Sequence, residues 1–274
     1  MISKFEKIIV MTDLHLRKQE SLIIGLDPIK KFSNALDHAL LIHPDAKRLI
    51  IIGDLTHQGL ECEYHELRLI LRKVKIPISL MLGNHDVRSS FVSVFPEIPL
   101  DKNGFVQSSF TFKNYLMLFL DTLKSSSDYK AKHEGVLCKK RLDWVKSKLD
   151  ESKKKKVLIF MHHPPFKVGF KAMDKIRLSN DLEFLSLISK YSNIQHLFAG
   201  HVHRTISGKI KNFSFSMFKS TCHQMPMAIN SNNTSLSTNE PSAYGILFLS
   251  KESIIVHTED HEIARNSEGI FEDY

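Results

Sequence analysis

Residues 7–15 read KIIVMTDLH, a short apolar run followed at once by a turn that carries an aspartate and a histidine. An apolar residue at nearly every position is typical of a strand that is buried on both faces of a sheet. The same arrangement recurs along the chain and predicts six such strands. They are Lys7–Met11, Leu49–Ile52, Ile78–Leu82, Leu116–Leu120, Val157–Met161 and His196–Ala199.

Helical patterns lie between these strands. Four segments repeat apolar residues with the 3.6-residue period of a helix that packs on one face: Ile29–Ile42, Tyr64–Val74, Lys139–Leu149 and Leu182–Ile188. Strands that alternate with helices imply βαβ units, layered as helix, sheet and helix. The sequence alone therefore predicts an α/β fold.

The C-terminal part has a different pattern. Lys211–Lys219 alternates polar and apolar residues, as a half-exposed antiparallel strand does. Tyr244–Leu249 and Ile254–Thr258 predict a closing hairpin, and the Ser- and Asn-rich stretch 230–242 before them predicts a loop. Lys124–Glu134 is predicted to be a surface loop, and the last ten or so residues to be mobile.

Polar side chains follow five of the six strands. In an open α/β sheet, ligand sites form beyond the carboxyl ends of the strands. Because residues two apart on an extended segment point the same way, we expect one aspartate–histidine pair and one histidine pair to share a side. Glycines in three of the turns let the backbone approach a ligand closely. The turns are Asp13-Leu14-His15, Gly53-Asp54, Gly83-Asn84-His85-Asp86, His162-His163-Pro164-Pro165 and Gly200-His201-Val202-His203.

Each motif alone has a simpler interpretation. A histidine after a strand is more often structural than a ligand, and we assign His163 to that class because it should point opposite to its neighbour. Asp86 fits a cap of the following turn or helix. What indicates a metal site is the joint occurrence of five such motifs, all at predicted strand ends.

The five motifs resemble those of the calcineurin-like metallophosphoesterase superfamily, D-x-H, G-D, G-N-H-D, H and G-H-x-H, and they span residues 13–203. Further segments resemble the class III cyclic-nucleotide phosphodiesterase and glycerophosphodiesterase branch. They are FMHHPP at 160–165, Gly169, Met173, Asp174, the stretch 221–224 and Pro226. The resemblance implies a four-layer α-β-β-α sandwich with mixed sheets, formed by one domain over residues 1–274. Residues 205–260 would form a second-sheet or cap portion and the contact of a homo-oligomer.

The resemblance also implies two divalent transition-metal ions. One ion would be held by Asp13, His15, Asp54 and His203, and the other by Asp54, Asn84, His162 and His201, with Asp54 bridging both. Mixed oxygen and imidazole ligands suit Mn, Fe, Co or Zn better than Ca or Mg. His85 would lie beside the substrate phosphate as the catalytic histidine. His57 and His223 are candidate substrate contacts, with ordinary loop residues as the alternative.

The implied reaction is hydrolysis of a small phosphodiester, a 3′,5′-cyclic nucleotide or a glycerophosphodiester, by a metal-bridging hydroxide. Two divalent ions, two carboxylates and the hydroxide leave a net charge of about +1, which matches a diester better than a monoester. Leu82 stands where the protein phosphatases of the superfamily have arginine, which argues against that activity. A monoesterase, a nuclease and a non-catalytic scaffold remain alternatives. Segments 17–28, 57–64 and 166–180 would shape the pocket around the leaving group.

Composition sets the remaining expectations. The formal net charge is +8, but the lysines are dispersed apart from the run Lys153–Lys156, so charge alone does not favour a nucleic-acid partner. No apolar run is long enough to span a bilayer. The N-terminal MISKFEKIIV lacks the features of a secretory signal, so we expect a cytoplasmic location. Cys62, Cys138 and Cys222 are expected to be free thiols.

Overall fold

The computed structural model describes residues 5–124 and 133–263, and within them it has eleven strands and five α-helices. The strands are β1 Glu6–Met11, β2 Leu49–Ile51, β3 Ile78–Leu80, β4 Ser108–Phe112, β5 Tyr115–Leu120, β6 Lys156–Met161, β7 Ile194–Ala199, β8 Ile206–Ile210, β9 Phe213–Met217, β10 Tyr244–Leu249 and β11 Ile254–Glu259. The helices are α1 Pro28–Ile42, α2 Glu61–Leu71, α3 Arg88–Val94, α4 Lys139–Glu151 and α5 Asp181–Ile188, with a short 3-10 helix at Met173–Lys175.

The strands form two mixed sheets. The first has the order β11-β10-β1-β2-β3, in which β1, β2 and β3 are parallel and the hairpin β10–β11 is antiparallel. The second has the order β4-β5-β6-β7-β9-β8, in which β5, β6, β7 and β9 are parallel. The C-terminal part of the chain therefore contributes to both sheets, with β8 and β9 in one and β10 and β11 in the other.

The two sheets pack face to face around an aromatic core. The rings of Phe160 and Phe198 stack with centroids 4.7 Å apart, and Phe119 lies 5.4 Å from Phe160. Helices α1, α2 and α3 cover the outer face of the first sheet, and α4 and α5 cover that of the second. This is the four-layer sandwich that the resemblance implied. The residue pattern alone predicted one sheet between helices, which was wrong because periodicity does not tell which strands share a sheet.

The predicted elements form with small shifts at their ends. All six predicted strands are present, and the C-terminal hairpin is confirmed as β10–β11. The predicted strand in Lys211–Lys219 is confirmed as the shorter β9, which pairs antiparallel with β8 across a turn at Lys211, whose φ is 51°. Strands β4 and β8 and helix α3 were missed. Residues 125–132 of the predicted loop, and the predicted mobile C-terminus, lie outside the described residues.

Local signals fix where the helices begin. Asp27 caps α1, since its side chain accepts hydrogen bonds from the backbone N–H groups of Ile29 and Lys30, and Pro28 occupies the first turn, where no N–H is needed. None of the helices in residues 5–124 and 133–263 has the length and apolar character that crossing a membrane requires.

Because the parallel strands of each sheet end at a common edge, the loops after β1, β2, β3, β6 and β7 meet there.

Candidate metal centre

The seven residues predicted as metal ligands come together where those five loops meet. They are buried, apart from His203, which is partly exposed, and they lie far from one another in the chain. Asp13 and His15 follow β1, Asp54 follows β2 and Asn84 follows β3; His162 follows β6, and His201 and His203 follow β7. The sandwich thus gathers carboxylate, amide and imidazole groups from both of its sheets.

One half of the cluster contains Asp13, His15, Asp54 and His203. A potential ligand atom from each of these four lies within 4.8 Å of the other three. Nε2 of His203 is 3.3 Å from Oδ1 of Asp13, and Nε2 of His15 is 3.6 Å from Oδ2 of Asp54. The two Nε2 atoms are 3.0 Å apart. Two oxygens and two nitrogens that converge in this way can hold a divalent ion.

The other half contains His162, Asn84 and His201 beside the same Asp54. Nε2 of His162 lies 3.3 Å from Oδ2 of Asp54 and 3.2 Å from Oδ1 of Asn84. The ring of His201 is 5.2 Å from that of His162, and its buried Nε2 atom has no hydrogen-bond partner among the described residues. A buried nitrogen without a partner is costly unless something else binds it. The donor set therefore fits a metal ion at this place as well.

Hydrogen bonds behind the imidazoles orient them toward the centre. Nδ1 of His162 lies 2.8 Å from the carbonyl oxygen of Ile52, and Nδ1 of His203 lies 2.8 Å from that of His223. Since a carbonyl oxygen only accepts, each Nδ1 carries the hydrogen and each Nε2 keeps its lone pair for the cluster. Such outer hydrogen bonds are the usual support of metal-binding histidines.

Backbone conformation, rather than strand geometry, sets the direction of most of these side chains. Five of the seven have a positive φ: Asp13, His15, Asp54, His201 and His203, with values from 46° to 72°. Few residues other than glycine adopt this region, and strained residues concentrate at functional sites. The prediction that Asp13 pairs with His15 on an extended segment had the wrong reason, because both residues lie in the left-handed region. The two side chains nevertheless reach the same cluster.

Glycines in the turns allow the loops to pack closely. A Cβ atom on Gly83 would lie 2.3 Å from Oδ1 of Asp54 and 2.6 Å from Nε2 of His162. On Gly200 it would lie 2.1 Å from Oγ1 of Thr12. The expected close approach of the backbone is confirmed at these two turns.

Asp86 links the loops that carry Asp54 and Asn84. Its carboxylate accepts hydrogen bonds from the backbone N–H groups of Leu55, Thr56 and Gly83, at 2.9 to 3.2 Å, and from the hydroxyl of Tyr64 at 2.9 Å. A simple cap of the following turn was expected, so the sequence interpretation missed this role. Asp86 joins two turns across 30 residues, a distance at which local sequence carries no signal.

His163 lies closer to the cluster than expected. Its ring is 4.9 Å from that of His162 and 4.7 Å from that of His201, so it does not point away from them. Its Nδ1 atom is 2.8 Å from the hydroxyl of Thr122, in the segment after β5. His163 therefore lies behind the cluster and connects it to the carboxyl end of a sixth strand, β5.

The three histidines predicted to contact substrate line the pocket above the cluster. The backbone N–H of His85 donates to Oδ1 of Asp54 at 2.8 Å, and its Nδ1 donates to the carbonyl oxygen of His57, also at 2.8 Å. The rings of His57 and His85 stack with centroids 5.2 Å apart. The ring of His223 lies 4.9 Å from His15. Nε2 of His85 is thus left for the pocket.

Burial and neighbouring charges control protonation in the site. Burial and the charge of His85 lower the pKa of His57 to about 4, and burial and His203 lower that of His223 to about 3. Both rings are therefore neutral near pH 7 and can donate or accept a hydrogen bond. Burial alone would lower the pKa of His162, but Asp54 and Asp13 raise it to about 9. At neutral pH the metal-free His162 ring therefore carries a second proton, which interacts with the two carboxylates. Divalent cations would take the place of that proton.

The pocket has a volume of about 330 Å³ and an apolar wall. The wall is formed by Met173, Ile176, Met225 and Leu236, which belong to or pack against one hydrophobic cluster, and Ile23 is a further apolar lining residue. Segments 17–28, 57–64 and 166–180, predicted to shape the pocket, each supply a lining residue. His133 and the loop residues 234–237 also line it and were missed. In the described part of the chain, no lysine or arginine lines the pocket.

Known proteins are similar to this chain over most of its length. The family model for calcineurin-like phosphoesterases matches residues 6–205. A Rhodopseudomonas palustris protein named as a probable cyclic nucleotide phosphodiesterase is 35% identical over 252 residues, which cover 92% of this chain and 91% of that protein. An Arcobacter nitrofigilis protein named as a probable glycerophosphodiester phosphodiesterase is 26% identical over 92% of both chains.

Solved structures share the architecture at low sequence identity. A dimetal phosphatase from Danio rerio superposes with a TM-score of 0.70 at 15% identity, over 92% of this chain and 95% of that one. A purple acid phosphatase from yellow lupin superposes with a TM-score of 0.64 at 14% identity, over 96% of this chain and 52% of that one. These similarities support the sandwich fold.

Proposed function

Since the chain belongs to the calcineurin-like phosphoesterase family and is a phosphoric ester hydrolase, we propose that its substrates are small phosphodiesters, either 3′,5′-cyclic nucleotides or glycerophosphodiesters. The observation that carries this proposal is the convergence of two carboxylates, one amide and four imidazoles at the base of a pocket that no lysine or arginine of residues 5–124 and 133–263 lines. A phosphate monoester, with close to two negative charges, would favour such extra cations. A diester carries one charge and fits the centre as it stands.

The residues divide into two proposed metal subsites. Asp13, His15, Asp54 and His203 would hold one divalent ion, and Asp54, Asn84, His162 and His201 the other. When bound, two such ions supply an activated water as nucleophile and positive charge that offsets the charge of the phosphoryl oxygens. The mixture of oxygen and nitrogen donors favours Mn, Fe, Co or Zn.

The other pocket histidines would act on the substrate itself. His85 is held at Nδ1 by the carbonyl oxygen of His57. In its imidazolium form, which carries a hydrogen on both ring nitrogens, its Nε2 can donate to a phosphoryl oxygen or to the leaving oxygen. The neutral rings of His57 and His223 would contact the ester group. Nδ1 of His85 is anchored to a backbone atom, the carbonyl oxygen of His57, which is not a proposed ligand of either ion.

The apolar wall supports cyclic nucleotides over glycerophosphodiesters. Met173, Ile176 and Leu236 can cover the face of a nucleobase, whereas a glycerol group carries hydroxyls that need hydrogen-bond partners. The more similar of the two relatives compared is also the one named as a cyclic nucleotide phosphodiesterase. The homo-oligomer with residues 205–260 in its contact stays a prediction, which sedimentation analysis would test.

A direct assay tests the proposed activity. Protein loaded with Mn²⁺ should hydrolyse bis(p-nitrophenyl) phosphate faster than p-nitrophenyl phosphate, and Asp54→Asn should abolish both reactions. The same protein should hydrolyse 3′,5′-cyclic AMP. Faster hydrolysis of the monoester would support the monoesterase alternative, and salt-dependent binding and cleavage of a polynucleotide would support a nuclease. No turnover with Mn, Fe, Co or Zn, together with no bound metal, would contradict the proposal in favour of a scaffold.

A further inference from the structure

Asn84 can serve as a metal ligand in only one of the two orientations of its amide. Oδ1 faces the cluster, 3.2 Å from Nε2 of His162, and Nδ2 faces the other way. A 180° turn of the amide would exchange these atoms and direct an NH₂ group at the cluster. Because the amide nitrogen offers hydrogens and the oxygen offers lone pairs, only the observed orientation can bind a cation.

The atom that meets Nδ2 is Nδ1 of His133, at a distance of 3.0 Å. Nδ2 of Asn84 can only donate, so this ring nitrogen is the acceptor. With the ring hydrogen on Nε2, an amide oxygen in the same place would face another acceptor and lose the hydrogen bond. In that tautomer His133 discriminates between the two orientations of Asn84 and favours the one that directs Oδ1 at His162.

The backbone near His133 is held in place by its neighbours. The N–H of Gly135 donates to the carbonyl oxygen of Arg177 at 3.2 Å, and its own carbonyl oxygen accepts from the N–H of Ser179 at 2.8 Å. A Cβ atom on Gly135 would lie 2.5 Å from the ring of His163, so the chain lies directly on that ring. This support two residues away is what an orienting side chain needs.

We propose that His133 is a positioning residue for the subsite of Asn84, where its Nδ1 fixes the amide with Oδ1 toward His162 and His201. The inference rests on the proposed function, because it concerns one of the two metal subsites. Its consequence is selective. The hydrogen bond of His133 goes to Asn84, which belongs to one of the two proposed subsites and not to that of Asp13, His15 and His203, so we expect one ion to depend on this residue.

Two substitutions separate this role from others that a pocket histidine could have. His133→Ala removes the acceptor. His133→Asn keeps an amide oxygen near the position of Nδ1 and removes Nε2. If His133 orients Asn84, the alanine variant weakens binding of one ion by about 10- to 100-fold, the usual effect of losing such an outer partner, and the asparagine variant restores it. His65→Ala, at an exposed histidine of α2, is the matched control.

The experiment is a titration of metal-free protein with Mn²⁺, in which free Mn²⁺ is measured by electron paramagnetic resonance. Wild type and His65→Ala should bind two ions per chain with equal affinities, and His133→Ala should weaken one ion only. Equal affinities in wild type and His133→Ala would overturn this inference and leave the proposed function intact. Equal weakening of both ions in both His133 variants would overturn it as well. Wild-type protein that binds no ion would overturn the inference together with the proposed function.

Discussion

Replacing His85 with alanine should slow hydrolysis while both metal subsites stay intact. The side chain lines the pocket, and the hydrogen bonds of His85 with the loops run through its backbone N–H or through its own Nδ1. The N–H of His85 that donates to Asp54 belongs to the backbone and survives the substitution. The carbonyl oxygen of His57, which accepts from Nδ1, is freed but lies next to the pocket and its water. We therefore expect unchanged metal content.

The size of the effect follows from what one imidazole nitrogen can do. In the imidazolium form of His85, Nε2 can donate one hydrogen bond to a charged phosphoryl oxygen, and such bonds contribute about 1.5–3 kcal/mol. At 1.36 kcal/mol per tenfold change in rate, this gives a loss of about 10- to 150-fold in kcat. If Nε2 also protonates the leaving oxygen, a poor leaving group should lose more, up to about 10⁴-fold.

Two substrates distinguish these contributions. Bis(p-nitrophenyl) phosphate releases an ion that needs no proton, so His85→Ala should lose only the smaller factor. 3′,5′-Cyclic AMP releases an alkoxide, so it should lose more. Rates with both substrates and metal content by elemental analysis should be measured on the same preparation, with His65→Ala as the control. Loss of both ions in His85→Ala, or a rate equal to wild type, would refute the assigned role.

Three further predictions concern the loops and the fold. Gly83→Ala should impair metal binding and destabilise the protein by about 1–3 kcal/mol, because the new methyl group would lie 2.3 Å from Oδ1 of Asp54. Mn²⁺ titration measures the loss of metal binding, and thermal unfolding measures the loss of stability. Asp121→Ala should lower the free energy of unfolding by about 3–5 kcal/mol, measured by chemical denaturation. The substitution removes the fully buried carboxylate whose two oxygens accept hydrogen bonds from the Arg88 guanidinium at 2.8 and 2.9 Å. Burial lowers the pKa of His196 to about 4, so below pH 6.5 this side chain binds fewer protons in the folded than in the unfolded state. Its own contribution should lower stability by up to about 3 kcal/mol from pH 6.5 to 4, in addition to that of the other buried histidines, and unfolding of wild type and variant at several pH values measures it.

Each of these has a matched control. A Cβ atom on Gly104 would have no atom within 4 Å, but this residue has a positive φ, so Gly104→Ala should lower stability without any loss of metal. Equal loss of metal in Gly83→Ala and Gly104→Ala would contradict the explanation for Gly83. Glu97→Ala breaks an exposed ion pair with Arg68 and should cost less than about 1 kcal/mol. His196→Gln should flatten the pH dependence between 6.5 and 4, and an unchanged curve would show that another group causes it.

The sequence predicts the ligand loops because a buried strand and the turn after it are both local patterns. The apolar run before Asp54, or before His162, predicts a strand, and the polar residue after it falls at the strand's carboxyl end. Parallel strands place those ends at one edge, which is a general property of α/β sheets. The position of these residues was therefore accessible from the chain alone.

The contacts that support the ligands were not accessible in this way. Asp86 joins the loops of Asp54 and Gly83 through a hydrogen-bond network with Tyr64. His133 meets Asn84 across 49 residues, from a stretch without helical or strand periodicity. Such contacts depend on how the two sheets face each other, and periodicity within a segment does not encode that arrangement.

Backbone conformation was the other feature that the sequence did not predict. A spacing of two residues predicted that Asp13 and His15 share one side of an extended segment, but both have φ near 50°. Nothing in a tripeptide of aspartate, leucine and histidine indicates that region, which is enforced by the surrounding loops. Helix α3 was missed for a similar reason, because its seven residues are too few for a helical period to stand out.

Anomalous diffraction from crystals grown with Mn²⁺ can locate the two cations that we propose the five loops bind. We expect two peaks per chain, one contacted by Asp13, His15, Asp54 and His203, and one contacted by Asp54, Asn84, His162 and His201. Crystals with no peak beside Asp54, or with manganese bound only elsewhere on the surface, would mean that these side chains converge for some purpose other than catalysis by metal ions.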